Sequence, residues 1–122
     1  MNEQIPAIKN DPLYQLLRDG KIEEFNTRHQ AGESSDLTGC DFRGLDLRGL
    51  VAEGLDLNDC YFRQTDLRGV DLSKAKLLGA SIHGAKISGV FFPADLAAEE
   101  ILMSLEHGTR MRYGIPVRAS KA

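Results

Sequence analysis

The residues able to do chemistry recur at fixed spacings. Arg43 and Arg48 stand five apart, as do Arg63 and Arg68, and the second pair follows the first by twenty; Cys40 and Cys60 are also twenty apart, as are Asp46, Asp66 and Lys86. Four arginines in such an array suit a phosphate or an acidic partner, because a guanidinium offers a planar fork of donors to an oxyanion. Asp41, Asp46, Asp66 and Asp71 accompany them, so a self-neutralised surface is the plainer reading. Asp46 and Asp66, continued by Lys86, fit a solvated ladder better than a catalytic carboxylate pair. Two thiols at a repeat distance fit core packing better than a redox pair, and two cysteines are too few for a disulfide scaffold. His29, His83 and His107 lie on three different segments at no ligand spacing, so no metal site is expected. Neither a Ser-His-Asp nor a Cys-His arrangement is present, and the expectation is a protein without catalysis or cofactor.

The spacing of five belongs to neither an α-helix nor a simple strand, and it asks what element would place these groups. The stretch "DLTGCDFRGLDLRGL" at residues 36–50 opens a series of twelve five-residue units that runs from Ser35 to Ala94. Their centres are Leu37, Phe42, Leu47, Ala52, Leu57, Phe62, Leu67, Leu72, Leu77, Ile82, Ile87 and Phe92, so every centre but Ala52 is large and apolar. Two places before each centre stands a small or apolar residue, from Ser35 and Cys40 through to Ala85 and Val90. Two side chains in five therefore point inward, and the polar remainder suits solvent. Glycine recurs at the end of the unit, where a turn calls for positive φ. The departures are Ala52 at a centre, Asp59, Gln64 and Lys74 at turns, and Leu45, Leu50 and Leu55 where something small is usual. The three leucines are placed to fill the volume that Ala52 lacks.

This pattern resembles the pentapeptide-repeat family. The resemblance implies a β solenoid: a right-handed, quadrilateral parallel β-helix with one unit per side, twenty residues per coil and about three coils in residues 35–94. Coils would then stack about 4.8 Å apart. Such stacking aligns a core ladder of Leu37, Leu57 and Leu77; Phe42, Phe62 and Ile82; Leu47, Leu67 and Ile87; and Ala52, Leu72 and Phe92. Open coil ends are an aggregation hazard that repeat proteins cover with caps, and both flanks look suited to it. Asp11–Pro12 reads as an N-cap and first helical residue, Gly20 as a stop, and a second helix fits residues 21–30 with Ile22 and Phe25 inward. Together these make residues 1–34 an N-terminal helical cap. Asp95 is the expected N-cap of a helix to His107, with Leu96, Ile101, Leu102 and Leu105 as its apolar stripe. Residues 95–108 are then a C-terminal capping helix and residues 109–122 a basic tail.

Charge is mild overall and uneven along the chain. The net charge is -3; residues 95–107 hold 4 acids and no base, and residues 108–122 hold 4 bases and no acid. The repeats hold 8 acids against 7 bases. No basic start followed by an apolar core is visible, so the expectation is a cytoplasmic protein, and a bacterial one from the resemblance. Val51, Leu78 and Phe91 are apolar where the repeat faces outward, and each is expected to lie under the chain's own flanks or against a partner. The expected function is a non-catalytic protein-binding or scaffolding module that presents flat faces. Its candidate interaction surface is Arg43, Arg48, Arg63, Arg68, Phe91 and Leu102, and its partners are an unidentified protein and, through the C-terminal side, a second copy in a homodimer. Neither nucleic acid nor membrane is expected. The alternative implied by the family is a DNA-mimicking inhibitor or protector of a type II topoisomerase, but a near-neutral repeat region of about 10–15 Å argues against it.

Overall fold

The computed structural model describes residues 5–114. Because each unit ends in a turn, the backbone is never extended for more than a few residues. Among the described residues it forms isolated parallel bridges and no continuous strand or sheet. The repeat bridges share one register, twenty residues: Asp41 with Tyr61 and Tyr61 with Ser81, Asp46 with Asp66 and Asp66 with Lys86, Asp56 with Lys76, Asp71 with Phe91. Hydrogen bonds follow it. The Phe42 amide donates to the Tyr61 carbonyl at 2.9 Å and the Tyr61 amide to the Cys40 carbonyl at 3.0 Å; one layer on, Phe62 donates to Ser81 at 2.8 Å and Ser81 to Cys60 at 3.0 Å. The chain thus winds as three stacked coils, residues 35–54, 55–74 and 75–94.

The inward residues fill the stack. Leu37, Phe42, Leu47, Leu57, Phe62, Leu67, Leu72, Leu77 and Ile82 are buried at 2% exposure or less, whereas Ile87 and Phe92, the last two of the ladder, are only partly buried. Each large side chain taken fully from water contributes roughly 1.5–3 kcal/mol. The Phe42 and Phe62 rings lie parallel with centroids 5.3 Å apart, as one column of one core. Leu50 and Leu55 are buried around Ala52. Thr65, also buried, satisfies its hydroxyl by donating to the Phe42 carbonyl at 2.7 Å.

Two corners without glycine, unlike the one at Lys74, still take the left-handed conformation. Asp59 and Gln64 hold φ of 63° and 58°, in the left-handed region that glycine takes at the glycine corners. Directly above Asp59, Gly79 is required for a second reason: a Cβ there would sit 2.1 Å from Asp59 Oδ1.

Three helices flank the stack: α1 (Pro12–Arg18), α2 (Ile22–Gln30) and α3 (Ala98–His107). Asp11 caps α1 by accepting from the Tyr14 amide at 3.0 Å, and its other oxygen accepts from the Asp36 amide at 2.9 Å, tying the helix to the first coil. Leu13, Tyr14 and Leu17 are the buried face of α1, and Phe25 that of α2. The C-terminal helix corrects the sequence expectation. It starts at Ala98 after Ala97, without a side-chain cap, because the chain first turns tightly, Leu96 N donating to Pro93 O at 3.0 Å, and the Asp95 carbonyl accepts from Gly114 at 2.6 Å. Leu96 is buried ahead of the helix, Ile101 and Leu105 pack partly, and Leu102, expected in the apolar stripe, is 52% exposed. Among the described residues no helix is long and apolar enough to cross a membrane.

Candidate functional site

The unit geometry decides the state of each arginine. An aspartate two residues before an arginine faces the same way, and its carboxylate also accepts from the arginine's own amide, which locks the pair. Asp41 takes the Arg43 amide, Nε and Nη2, each at 2.9 Å. Asp46 takes the Arg48 side chain at 2.9 and 2.7 Å, and Asp66 takes Arg68 at the same two distances. Arg48 also reaches across one coil to Asp66 at 3.4 Å. The guanidinium hydrogen bonds hold Asp41, Asp46 and Asp66 below the usual carboxylate range, Asp66 furthest, through Arg68 first and Arg48 in addition. Arg43, Arg48 and Arg68 are therefore internally paired.

Arg63 differs. Its unit reads "CYFRQ", with Tyr61 where the others carry aspartate, and no described carboxylate pairs with it. The returning C-terminal segment brings another cation to the same place: the Arg110 guanidinium lies 5.1 Å from the centre of the Tyr61 ring, donates to the Gly79 carbonyl at 3.0 Å and to the Tyr61 hydroxyl, and comes no nearer than 3.8 Å to Asp59. His83 and His107, which the sequence assigns to unrelated segments, line one groove with Arg43, Arg63 and Arg110, of about 330 Å³. The twenty-residue spacing already stacks Arg43, Arg63 and His83 in one column; what sequence reasoning missed is that α3 and the returning segment add His107 and Arg110 to it.

The other candidates are quieter. Cys40 and Cys60 are free thiols with no exposed surface; burial raises Cys40 to about 11 and Cys60 further, so neither is a ready nucleophile at neutral pH. Cys60 donates to the Leu37 carbonyl at 2.9 Å. Among the described residues no group of three or more His, Cys, Asp or Glu side chains is placed to hold a metal ion. Of the outward apolar residues, Val51 lies against α2, its amide donating to Asn26 Oδ1 at 2.9 Å, while Leu78 and Phe91 are 51% and 66% exposed. Leu102 and Met103 of α3 are exposed as well. The basic tail pairs with its own helix: Glu100 accepts from the Arg112 amide at 3.0 Å and from Nη2 at 3.1 Å. Arg118 and Lys121 lie outside the described residues.

No curated protein and no solved structure matches the chain. A family model does: eight copies of the pentapeptide repeat match over residues 56–92. The match begins just past Leu45, Leu50, Ala52 and Leu55, the departures in the first coil, yet the same twenty-residue register ties the first coil to the second at Phe42, Gly44, Leu47 and Gly54, with rungs missing among the described hydrogen bonds where residues 49–52 face 68–71. The repeated unit, its register and this match agree that residues 56–92 are built of pentapeptide repeats.

Proposed function

We infer that the chain is a non-catalytic, cytoplasmic protein-binding module, a right-handed four-sided β-helix closed at its first coil and offered to a partner at its third. Pentapeptide-repeat proteins generally serve as interaction modules without catalysis, and the twenty-residue register accords with one unit per side. The observation that carries the reading is the uneven cover of the third coil. Residues 77–84 meet α3 and the tail, but the Ile87 and Gly89 amides donate to no described group, and Phe91, Leu102 and Met103 are exposed at the same end. Unpaired edges and exposed apolar patches are what recruit another chain.

The partner that fits best is a second copy. The coils are near-copies of one another, so the open sides of one third coil complement those of its mate, and a two-fold pairing covers both at once. Sedimentation velocity of the wild type and of a Phe91→Asp, Leu102→Asp double variant tests this. A dimer that the double variant dissociates is the expected result, and a wild type that stays monomeric at high micromolar concentration refutes it.

A further inference from the structure

The groove around Arg63 departs from the rest of the surface in a way the protein-binding reading does not require. Elsewhere in the repeats each arginine that follows an aspartate by two is forked onto it. Here Tyr61 replaces the aspartate, and the C-terminal segment delivers Arg110 beside Arg63 in place of a carboxylate. Arg43, Arg63 and Arg110 face one groove of about 330 Å³ whose lining, among the described residues, includes no acidic side chain. Asp41 neutralises Arg43 from the side; among the described residues no carboxylate pairs with Arg63, and Arg110 has one distant carboxylate at 3.8 Å. Gathering like charges in a partly enclosed space opposes folding unless something balances them.

The imidazoles add ring N–H groups. His83 Nδ1 is buried without a partner, packed where a Cβ on Gly108 would come within 3.3 Å of it. A buried ring nitrogen with no acceptor is best left unprotonated, which puts the proton on Nε2 and makes His83 a donor. His107 lies at the C-terminus of α3, across the same groove. Several N–H donors, two incompletely balanced guanidiniums and no carboxylate suit a compact dianion with several acceptor oxygens.

We propose that this groove binds a phosphate group, as inorganic phosphate or as a phosphate monoester, with Arg63 and Arg110 as its charged clamps. The test is a two-dimensional NMR titration of the full chain with sodium phosphate and, separately, with phosphoserine, at constant ionic strength, with succinate as the dianion control. Saturable shifts confined to residues around 61–63, 81–83 and 107–110 are expected. Binding of inorganic phosphate alone would identify the free ion as the ligand, and tighter binding of phosphoserine a monoester. Arg63→Gln should weaken binding by about tenfold or more, as loss of a charge-assisted pair does. Arg48→Gln, on the neighbouring face and already paired, should leave it unchanged. Equal weakening by the two variants, equal binding of succinate, or the absence of saturable shifts would overturn the proposal. Arg63 is exposed, so its variant should keep the wild-type spectrum elsewhere; its sedimentation should also match the wild type, separating this site from the self-association surface.

Discussion

At the first coil nearly every side is met by the chain itself. Ala7 supplies a backbone rung, donating to Gly39 at 3.0 Å and accepting from Asp41 at 2.9 Å. Asn26 imitates a rung with its side-chain amide, donating to Gly49 and accepting from Val51, both at 2.9 Å. Tyr14 donates to the Asp41 carbonyl at 2.7 Å and sets its ring edge-on to Phe42, and a His29 ring nitrogen lies 2.9 Å from the Glu53 carbonyl. At the third coil, among the described residues, the same devices appear on residues 77–84 only: Met111 is the backbone rung to Gly79 and Ala80, Ser104 Oγ accepts from Ile82, and the Tyr113 hydroxyl accepts from Leu77. Both ends thus use side chains that copy a missing strand. What separates them is completeness: among the described residues the chain meets nearly every side of the first coil but only residues 77–84 of the third.

Removing the closed end should have the largest effect. Deletion of residues 1–34 exposes the Leu37, Phe42 and Leu47 ring together with unpaired edges, and the expected product is insoluble or aggregated by light scattering. A soluble, cooperatively melting fragment would show that the first coil does not depend on its cap. A single-residue form of the comparison sets Phe25→Ala against Phe91→Ala. Phe25 has no exposed surface and should lose roughly 3–5 kcal/mol in urea unfolding. Phe91 is 66% exposed and should change stability by less than about 0.5 kcal/mol while weakening self-association.

The same substitution at two turns sharpens the contrast between coils. Gly54 in the first coil and Gly79 in the third have φ of 83° and 81°, so alanine carries the same backbone strain at either. A Cβ on Gly54 meets nothing within 4 Å, whereas on Gly79 it meets Asp59 Oδ1 at 2.1 Å. Gly54→Ala is expected to lose about 1–2 kcal/mol from φ alone. Gly79→Ala should lose more, and Asp59→Gly should relieve the difference in a double-mutant cycle.

What was legible beforehand followed from periodicity. The ladder from Leu37 to Ile82 was visible because the inward positions repeat in register, and neighbours in the stack differ in sequence by one number; Ile87 and Phe92, in the last coil, are only partly buried. The covers obey no such period. That Asn26 stands in for a strand, or that Ser104 and Tyr113 meet the Ile82 and Leu77 amides, depends on where an aperiodic segment returns, which no spacing encodes. Asp95 shows the limit from the other side: aspartate before a helix ordinarily caps it, but here its carbonyl is held by Gly114 and the helix starts later. His83 and His107 were separated by the same blindness, since only the return of α3 brings them to one groove.

The smallest expected effect concerns how the partial cover of the third coil is latched. Glu100 holds the tail through the Arg112 amide and guanidinium, and those hydrogen bonds keep its carboxyl below the usual range. A depressed folded-state pKa stabilises the latched state above the unfolded value of about 4.3 and loses that contribution as pH falls through the folded value. The latch is near the surface, so its contribution should not exceed about 1 kcal/mol. Acidifying from pH 6 toward pH 3 should therefore loosen the Arg112 segment before the coils unfold. Hydrogen exchange under these conditions should show protection of Met111 and Gly114 falling a few-fold, while that of Tyr61 and Phe62, between coils, stays constant. In Glu100→Gln the loosened level should already be present at pH 6, and the step should disappear. A Glu100→Gln protein that keeps the wild-type pH dependence at Met111 would assign the latch to the backbone rung alone and make the two ends more alike than this account allows.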